Sequence, residues 1–368
     1  MKLSCAQSDL SSALALVGRA VSPNNTLPVL NNILLKADGK KLFLTATNLE
    51  IALHVALDAQ VENEGALTVP AKTLASYISL LSNKEEVMLT VMNGTSLDIR
   101  SKGSKTQIKG IPHEEFPMVP KLEKPEVFTI PVKDLGQAIE QVVFAASTNI
   151  SRPVLTGIYW QMSPGKIKLA ATDSYRLGEV TLNLEHEVQE EIKFILPSKT
   201  AHELAKILIS VEQEILEVKV GKGQIQFKIG GIELMSRLIE GNFPDYERIL
   251  PGDSLGFAEL DVEEFTLALK KVSVIVRESN NNVKLRLEPG KLMVFTDETQ
   301  VGQGSAEIAV ETQGQSLETS LNVQYLLDAL SHIPAQKVHF GLNDGLSPVK
   351  VVPVQPSGFL HIIMPLKV

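Results

Sequence analysis

The sequence predicts an α+β protein built from three tandem copies of one domain. Three observations lead to this prediction: segments recur about 125 residues apart, each recurrence contains two amphipathic helical stripes, and the segments between them alternate like strands. A repeat of this length is a whole domain, because the units of solenoid and propeller proteins are only about 20–50 residues long. The 368 residues are therefore expected to divide into domains at 1–124, 125–253 and 254–368.

The repeat is visible in pairs of similar segments. The segment PVLNNILLKADGKKLFLTATNLEIAL begins at Pro28, and PVLTGIYWQMSPGKIKLAATDSYRLGEV begins at Pro153, 125 positions later. The turn sequence PGK occurs at Pro164 and again at Pro289, at the same interval. The segments TVPAKTLASYISLL, ILPSKTAHELAKIL and SLNVQYLLDALSHI form a further set, and EEFPMVPKL corresponds to GNFPDYERILP. These correspondences place one copy in each third of the chain.

Each copy is predicted to open with a short strand and a helix. Apolar residues follow that strand at the three- and four-residue spacing of a helix face. They are Leu10, Ala13, Leu14, Val17 and Val21 in copy one, Leu135, Ala138, Ile139, Val142 and Ala146 in copy two, and Phe265, Ala268, Leu269, Val272 and Val276 in copy three. A second helix is predicted at about 72–82, 199–209 and 323–333. With turns such as Asp38-Gly39 between alternating segments, each copy is expected to hold two helices and roughly eight strands.

Composition narrows the classes of protein that remain. The single cysteine, Cys5, excludes a disulfide framework, and no apolar run reaches the roughly 18 residues of a membrane-spanning helix. The start of the chain lacks the apolar core of a signal peptide, so a cytoplasmic location is expected.

The net charge of the chain is −8, which argues against nucleic-acid binding. The six predicted helices, however, carry eight basic and eight acidic residues, so the excess of negative charge lies entirely in the rest of the chain.

No catalytic constellation is found in the sequence. Thr172-Asp173 and Thr296-Asp297 stand at strand ends, where such residues usually make turn hydrogen bonds. The Gly-Lys pairs lack the spacing of a phosphate-binding loop, and the seven scattered histidines offer no zinc motif. Aromatic residues make up only 5% of the chain, which disfavours a base-stacking surface. A binding role without enzymatic activity, cofactor or metal is therefore predicted.

The sequence resembles the bacterial DNA polymerase III β subunits, the sliding clamps, along its whole length. The resemblance lies in LPVLNNILL near residue 27, ATDSYRL at 171–177, NFPDYERILP at 242–251 and IIMPLKV at 362–368. It implies that each copy is a DNA-clamp (processivity-fold) domain with two helices and two antiparallel sheets. It also implies a ring-shaped, head-to-tail homodimer around double-stranded DNA, cytoplasmic and associated with the nucleoid. Such a ring is a non-catalytic processivity factor, whose partners are the replicative polymerase α subunit, the clamp-loader δ subunit and other clamp-binding-motif proteins.

The resemblance also implies three sets of site residues. The expected DNA-binding residues are Arg19, Asn24, Lys72, Asn149, Lys199, Lys206 and Lys271. The expected partner-peptide pocket consists of Arg152, Leu155, Thr172, Tyr175, Arg176, Leu177, Pro244, Arg248, Ile249, Leu346, Pro348, Ile362 and Met364. The expected dimer interface contains Thr106, Ile108, Val274 and Ile275. In the pocket, Val154, Ser174 and Pro348 depart from the aromatic residue, the glycine and the small polar residue expected there.

Two other classes of function stay open at this point. A repeat-built enzyme or carbohydrate-binding module would place its site between domains, and it should show a cluster of acids or a metal site, which the sequence lacks. A scaffold that does not bind DNA would differ from a clamp in its native mass. The apolar segment HIIMPLKV at 361–368 is compatible with a last sheet strand or with a binding surface.

Overall fold

The computed structural model describes residues 1–21, 27–119, 122–184, 191–276 and 281–366. Two compact units are present: one combines residues 1–132 with 206–238, and the other combines 133–205 with 239–368. The middle third of the chain thus contributes to both units. The α+β class is confirmed, because helices and antiparallel sheets alternate throughout the described residues.

Copy one contains two helices and nine strands in its described residues, in the order predicted. They are β1 (Lys2–Ala6), α1 (Gln7–Val17), β2 (Asn32–Asp38), β3 (Lys41–Thr47), β4 (Ile51–Asp58), β5 (Gln60–Asn63), β6 (Gly65–Pro70), α2 (Ala71–Ser79), β7 (Glu86–Met92), β8 (Ser96–Ser101) and β9 (Ser104–Lys109). The predicted first helix extended to Val21, but the structure ends α1 at Val17 and continues with one 3₁₀ turn, Gly18–Ala20.

Copy two repeats this order, with eight strands among its described residues. They are β10 (Glu126–Pro131), α3 (Val132–Val143), β11 (Gly157–Ser163), β12 (Lys166–Thr172), β13 (Arg176–Asn183), β14 (Ile192–Pro197), α4 (Ser198–Ser210), β15 (Ile215–Gly221), β16 (Gln224–Ile229) and β17 (Ile232–Arg237). Residues 185–190, between β13 and β14, lie outside the described residues.

Copy three again has two helices and nine strands in the part of the chain that the structure describes. They are β18 (Gly256–Asp261), α5 (Val262–Val276), β19 (Asn282–Glu288), β20 (Lys291–Phe295), β21 (Ser305–Ala309), β22 (Thr312–Gly314), β23 (Leu317–Asn322), α6 (Val323–His332), β24 (Lys337–Leu342), β25 (Val349–Pro353) and β26 (Phe359–Ile363).

The helices form where apolar stripes meet a sheet. In α1 the buried residues are Gln7, Leu10, Ala13, Leu14 and Val17, so one face of the helix is covered. That face packs against β3, β4 and α2, which is how a surface helix gains most of its stability. The same pairing of first and second helix recurs in copy three, where α5 contacts α6.

The first unit contains two antiparallel sheets. A five-stranded sheet runs β5-β1-β7-β8-β9, and an eight-stranded sheet runs β10-β15-β16-β17-β4-β3-β2-β6. The larger sheet crosses from copy two to copy one where β17 pairs with β4, with Leu234 opposite Leu53. The resemblance implied two sheets per copy, and in the structure one sheet of copy one is continuous with one sheet of copy two.

The second unit follows the same plan. A nine-stranded sheet runs β14-β11-β12-β13-β26-β25-β24-β18-β22, and a four-stranded sheet runs β21-β20-β19-β23. Here copy two joins copy three where β13 pairs with β26, with Leu177 opposite Ile362. The segment after Phe359 is therefore an internal strand of this sheet and also, as described below, part of an apolar surface.

The two joints use equivalent strands. β4 is the last of the consecutive strands β2, β3 and β4 in copy one, and β13 takes the same place after β11 and β12 in copy two, 125 residues later. β17 is the last strand of copy two, and β26 is the last strand of copy three. Two further strands occupy the same two places in the repeat. Among the described residues, β21 of copy three pairs only with β20, and β9, the last strand of copy one, pairs only with β8. Both are edge strands that lack a second described neighbour.

None of the helices in the described ranges combines the length and hydropathy of a membrane-spanning helix.

Candidate functional site

An apolar cluster lies on the sheet face where β13 meets β26. It consists of Ala170, Leu177, Tyr246 and Ile362, all buried, and partly buried residues pack at its edge: Tyr159, Phe243, Leu250 and Leu360. Leu177 and Ile362 face each other across the strand pair, so copies two and three each supply part of the cluster. We call this cluster and the exposed side chains around it the joint surface.

Exposed apolar side chains occur on the chain segments next to the elements that form the cluster. Tyr175 is 61% exposed in the turn before β13, Ile249 is 52% exposed in a 3₁₀ turn, and Leu346 is 73% exposed before β25. The backbone N–H of Met364 donates to the carbonyl of Tyr175 at 2.8 Å, which holds residue 364 beside that turn. Large exposed apolar groups next to a buried apolar floor are typical of a surface that binds a partner.

The remaining predicted pocket residues lie on the same elements. Leu155 is buried in the turn before β11, Pro348 directly precedes β25, and Pro244 and Arg248 belong to the segment that crosses the sheet. Arg152 donates from Nη1 to Ser174 Oγ at 3.1 Å, and Arg248 pairs with Asp245 at 2.6 Å. All predicted pocket residues thus fall within the second unit.

The turn between β12 and β13 is built by side-chain hydrogen bonds. Thr172 Oγ1 donates to the carbonyl of Arg176 at 2.6 Å, and Asp173 Oδ1 accepts from the N–H groups of Tyr175 and Arg176. The same pattern recurs in copy one with Thr47 and Asn48. Threonine and aspartate therefore act as turn formers here, as their position at a strand end predicts.

Ser174 adopts a backbone conformation that favours glycine. Its φ is +81°, and Leu49, at the equivalent place in copy one, has φ +74°. A side chain in this left-handed region costs about 1–3 kcal/mol, part of which glycine would recover despite its greater freedom in the unfolded chain. The glycine expected at this position from the resemblance therefore has a conformational reason.

We predict that Ser174→Gly stabilises the protein by about 1 kcal/mol, because it relieves the positive φ without removing a buried group. Urea unfolding followed by circular dichroism measures the shift of the midpoint. The matched control is Ser8→Gly within α1, which should destabilise by about 0.5 kcal/mol because glycine is the poorer helix former. Equal shifts of the same sign in both variants would contradict the prediction.

Arg176 is anchored inside the second unit rather than extended into solvent. Its guanidinium donates to Asp173 Oδ2 at 3.1 Å, to Asp328 Oδ2 at 2.5 Å and to the carbonyl of Phe144 at 2.8 Å. It also lies over the rings of Phe144 and Tyr325, at 5.5 Å and 4.6 Å from their centroids. Its side chain is only 12% exposed. The arginine thus ties β13 to α3 and α6 and positions the turn that holds Tyr175.

Tyr246 closes the sheet face beside the cluster. Its hydroxyl donates to Glu179 Oε2, and burial together with that carboxylate raises the pKa of the phenol well above its usual range. Phe243, three residues earlier, stacks on Tyr159 with ring centroids 5.1 Å apart. The cross-over segment 243–250 is thereby fixed on the sheet, and Ile249 is held at the rim of the joint surface.

His361 lies on the opposite face of β26, fully buried. Its ring is 5.4 Å from Phe144, and Phe144 in turn stacks on His332 at 4.5 Å. Burial lowers the pKa of His361 to about 3, so the imidazole is neutral near pH 7. The histidine is a packing residue beneath the joint surface.

The described DNA-binding candidates lie on or beside helices. Arg19 is in the 3₁₀ turn after α1, Lys72 is in the first turn of α2, and Lys199 is in the first turn of α4. Lys206 lies further along α4, and Lys271 is exposed on α5. Asn149 is exposed in the loop after α3, and Asn24 lies outside the described residues. Lys72 and Lys199 occupy equivalent places in their copies, two residues after Pro70 and Pro197.

The interface candidates lie near the two edge strands. Thr106 is partly exposed on β9, and Ile108, on the same strand, is 7% exposed and points into its own domain. Val274 is 61% exposed near the end of α5, and Ile275 next to it packs against Gly304, directly before β21. None of the expected interface residues lies on β21, although its position in the repeat corresponds to that of β4 and β13.

Other residues of the joint surface were also missed by the sequence analysis. Tyr246 and Glu179 were not identified, nor were Tyr325 and Asp328, which hold Arg176. Tyr246 lies within the motif NFPDYERILP and could have been found there, whereas the α6 residues that contact Arg176 are distant from it in sequence.

Within the described ranges, no group of three or more histidine, cysteine, aspartate or glutamate residues could hold a metal ion.

Comparison with protein families gives one consistent result. Family models described as the N-terminal, central and C-terminal domains of the DNA polymerase III beta subunit match residues 1–120, 129–245 and 247–367. A beta sliding clamp of Synechococcus elongatus is 31% identical over 100% of this chain and 99% of its own length. The beta sliding clamp of Caulobacter vibrioides is 31% identical over the full length of both chains.

Solved structures with the same fold cover the whole chain. The sliding clamp of Pseudomonas aeruginosa bound to griselimycin has a TM-score of 0.95 and 28% identity, with both chains fully covered. The DNA polymerase sliding clamp of Bacillus subtilis has a TM-score of 0.94 and 26% identity, and it covers 100% of this chain and 99% of its own. The chain therefore has the fold of known sliding clamps.

Proposed function

The chain belongs to the family of bacterial DNA polymerase III β subunits, the sliding clamps, and on this premise we propose that it acts as a processivity factor: a head-to-tail homodimer that encircles double-stranded DNA. It tethers the replicative polymerase and other replication and repair proteins to the template, without catalysis of its own. The three clamp domains correspond to residues 1–124, 125–253 and 254–368. A topological link replaces tight binding, so the ring stays on DNA and still slides.

The observation that carries the proposal is the repeated strand joint. β4 pairs with β17 and β13 pairs with β26, so each joint matches the same two places of the domain repeat. The third such pair would be β21 with β9 of a second chain. Edge strands favour such pairing because their outer N–H and C=O groups lack strand partners. A heterologous contact of this kind generates a closed ring when the rotation from one chain to the next closes, which in the proposed dimer takes two chains.

The joint surface is the proposed site for client peptides. The exposed side chains Tyr175, Ile249 and Leu346 can bury apolar anchors, and the buried cluster with Leu177 and Ile362 supports the strands beneath them. Arg152 and Arg248 supply polar contacts near the edge. Binding of a short peptide through Leu or Phe anchors in an apolar site with a polar rim is a common recognition mode. The clamp-loader δ subunit and the polymerase α subunit would compete for this one surface.

The closing of a ring around DNA can be tested directly. The dimer should have a native mass near twice 40.1 kDa. Loaded with a clamp loader and ATP onto nicked circular DNA, the protein should stay bound, and it should be lost when the circle is linearised, because the ring then slides off the ends. Equal retention on circular and linear DNA would contradict encirclement and favour ordinary binding. A stable monomer that is never retained would favour a scaffold without DNA.

We predict that the combined Lys72→Glu and Lys199→Glu exchange weakens DNA association. Each lysine that contacts a phosphate contributes about 0.9 to the slope of log K against log salt, so the loss of two should reduce that slope by about 1.8. Binding should remain independent of DNA sequence. Filter binding or fluorescence anisotropy at several salt concentrations measures the slope.

The control for this pair is Lys222→Glu, which makes the same charge change in the turn between β15 and β16. It should leave the salt slope unchanged, and all variants should keep the dimeric mass. An unchanged slope in the Lys72 and Lys199 variant would remove these two residues from the DNA contact.

A further inference from the structure

A cavity lies in the first unit, at the joint between copies one and two. Its volume is about 600 Å³, within the range of small-molecule sites. The floor is the sheet face at Leu34, Thr45, His54, Ala52, Met235, Gln226, Glu233 and Lys219, on neighbouring strands. The roof is the segment that links the copies, with Phe116, Pro117, Met118, Val119, Leu122 and Pro125.

The cavity can be compared with the equivalent place in the second unit. There, the linking segment NFPDYERILP covers the sheet, and Tyr246 rests on Ala170, Leu177 and Ile362 with its hydroxyl bonded to Glu179. Counting from the shared Phe-Pro pair, the residue that corresponds to Tyr246 is Val119. Valine lacks the aromatic ring and the hydroxyl. The space that a phenol fills at one joint is therefore empty at the other.

The floor of the cavity below Val119 carries polar side chains that can hydrogen-bond to a hydroxyl group. By the repeat, His54 stands where Glu179 stands, and Glu233 is its cross-strand neighbour. Thr45 Oγ1 is 2.8 Å from Nδ1 of His54, which leaves Nε2 of the ring for another partner. Glu233 accepts from Gln226 Nε2 at 2.9 Å through one carboxylate oxygen and has Lys228 at 3.5 Å from the other.

The apolar part of the cavity can accommodate a flat aromatic ring. Ala52 and Met235 stand at the places of Leu177 and Ile362, and they face each other across β4 and β17. Met118 is 95% exposed at the opening, so its flexible side chain can cover an occupant. Burial lowers the pKa of His54, so a neutral imidazole faces the cavity near pH 7.

We propose that this cavity binds a phenol-type group, a planar aromatic ring that carries one hydroxyl. The ring lies between Ala52, Met235 and the linking segment, and the hydroxyl hydrogen-bonds to His54 or Glu233. The group comes either from a free small aromatic molecule or from a tyrosine side chain of a partner. The inference rests on the internal repeat and is independent of the proposed clamp function.

The probes are p-cresol and a short capped peptide with one tyrosine, added to the full-length protein labelled with ¹³C in its methionine methyl groups. Met118 and Met235 line the cavity and report on it, and Met364 reports on the joint surface. We expect p-cresol to shift the methyl signals of Met118 and Met235 in the millimolar range. Shifts confined to Met364, or none at all, would overturn the proposal.

The two probes distinguish the sources of the phenol group. Tighter binding of the peptide than of p-cresol assigns the cavity to a partner's tyrosine, and binding of p-cresol alone assigns it to a small aromatic molecule. Toluene, which has the ring without the hydroxyl, should bind about threefold or more weakly, since it cannot make the hydrogen bond. Equal binding of toluene and p-cresol would overturn the role of His54 and Glu233.

Val119→Tyr is the decisive variant, because it places in the first joint the residue that fills the second. It should weaken p-cresol binding at Met235 at least tenfold. The matched control is Val301→Tyr, the same exchange at an exposed position of the second unit, which should bind like the wild type. Undiminished binding to Val119→Tyr would overturn the proposal. Circular dichroism checks that both variants fold, and the toluene comparison tests the proposal on the unaltered protein.

Discussion

Ile275→Asp should convert the proposed dimer into folded monomers of 40.1 kDa. Ile275 is half-buried near the end of α5 and packs against Gly304, which directly precedes the edge strand β21. In the single chain an aspartate there can still reach water. In the proposed ring, β9 of the partner covers β21 and the carboxylate would be buried without a partner.

The expected effect is large because the proposed ring would contain two identical joints. An unpaired buried charge costs about 3–5 kcal/mol, and the substitution places one at each joint. The dimer dissociation constant should therefore rise by about a hundredfold or more for each joint. Light scattering coupled to size exclusion measures the mass at micromolar concentration.

The control for the ring joint is Leu267→Asp. Leu267 is 54% exposed on the same helix, two turns before Ile275, and it should keep the dimeric mass. The same apolar-to-acid change then separates a position at the joint from a general effect on α5. A dimer of unchanged mass in the Ile275 variant would show that the joint lies elsewhere.

Met364→Ala should weaken binding of a client-type peptide by about thirtyfold and leave the dimer intact. Truncation of an anchor contact in such a site costs about 2 kcal/mol or more. The backbone of residue 364 is held by its bond to Tyr175, so alanine should remove the side chain without moving the strand. A fluorescent peptide with a Gln-Leu-x-Leu-Phe motif, titrated by anisotropy, measures the affinity.

Deletion of residues 364–368 is a stronger form of the same test. It also removes the hydrogen bonds from the N–H of Met364 to Tyr175 and from the N–H of Leu366 to Ser320, so it should abolish peptide binding. The matched control for the point variant is Met92→Ala, an exposed methionine on β7 in the other unit. Normal peptide binding by Met364→Ala would mean that residues 364–368 only complete the sheet.

Much of the fold was predictable because its evidence is local and repeated. The apolar stripes of the six helices, the turn residues at strand ends and the interval of 125 residues are all visible in the sequence, and the helices occur within a few residues of their expected places. The first helix is the exception, since it tightens into a 3₁₀ turn at Gly18. Helix ends depend on capping and packing, which periodicity does not report.

The candidate site was predictable only in part. The resemblance identified Leu177 and Ile362, and the structure brings them together across β13 and β26, but their pairing is a contact over 185 positions that no local pattern encodes. Arg176 was expected as a pocket residue, and its partners Asp328 and Tyr325 come from α6, far along the chain. Whether an arginine faces solvent or anchors two helices depends on which residues of other elements pack against it in the folded protein.

The sequence by itself determined the repeat, the α+β class, the two helices of each copy and the membership of the family. Only the tertiary structure decided which strands pair between the copies, that β21 is left as an edge, and that a valine in place of a tyrosine opens a cavity at one joint. The physical reason is the range of the interactions. Helix stripes and turns are set by neighbours within a few residues, whereas strand pairing, edges and cavities depend on groups brought together from distant positions.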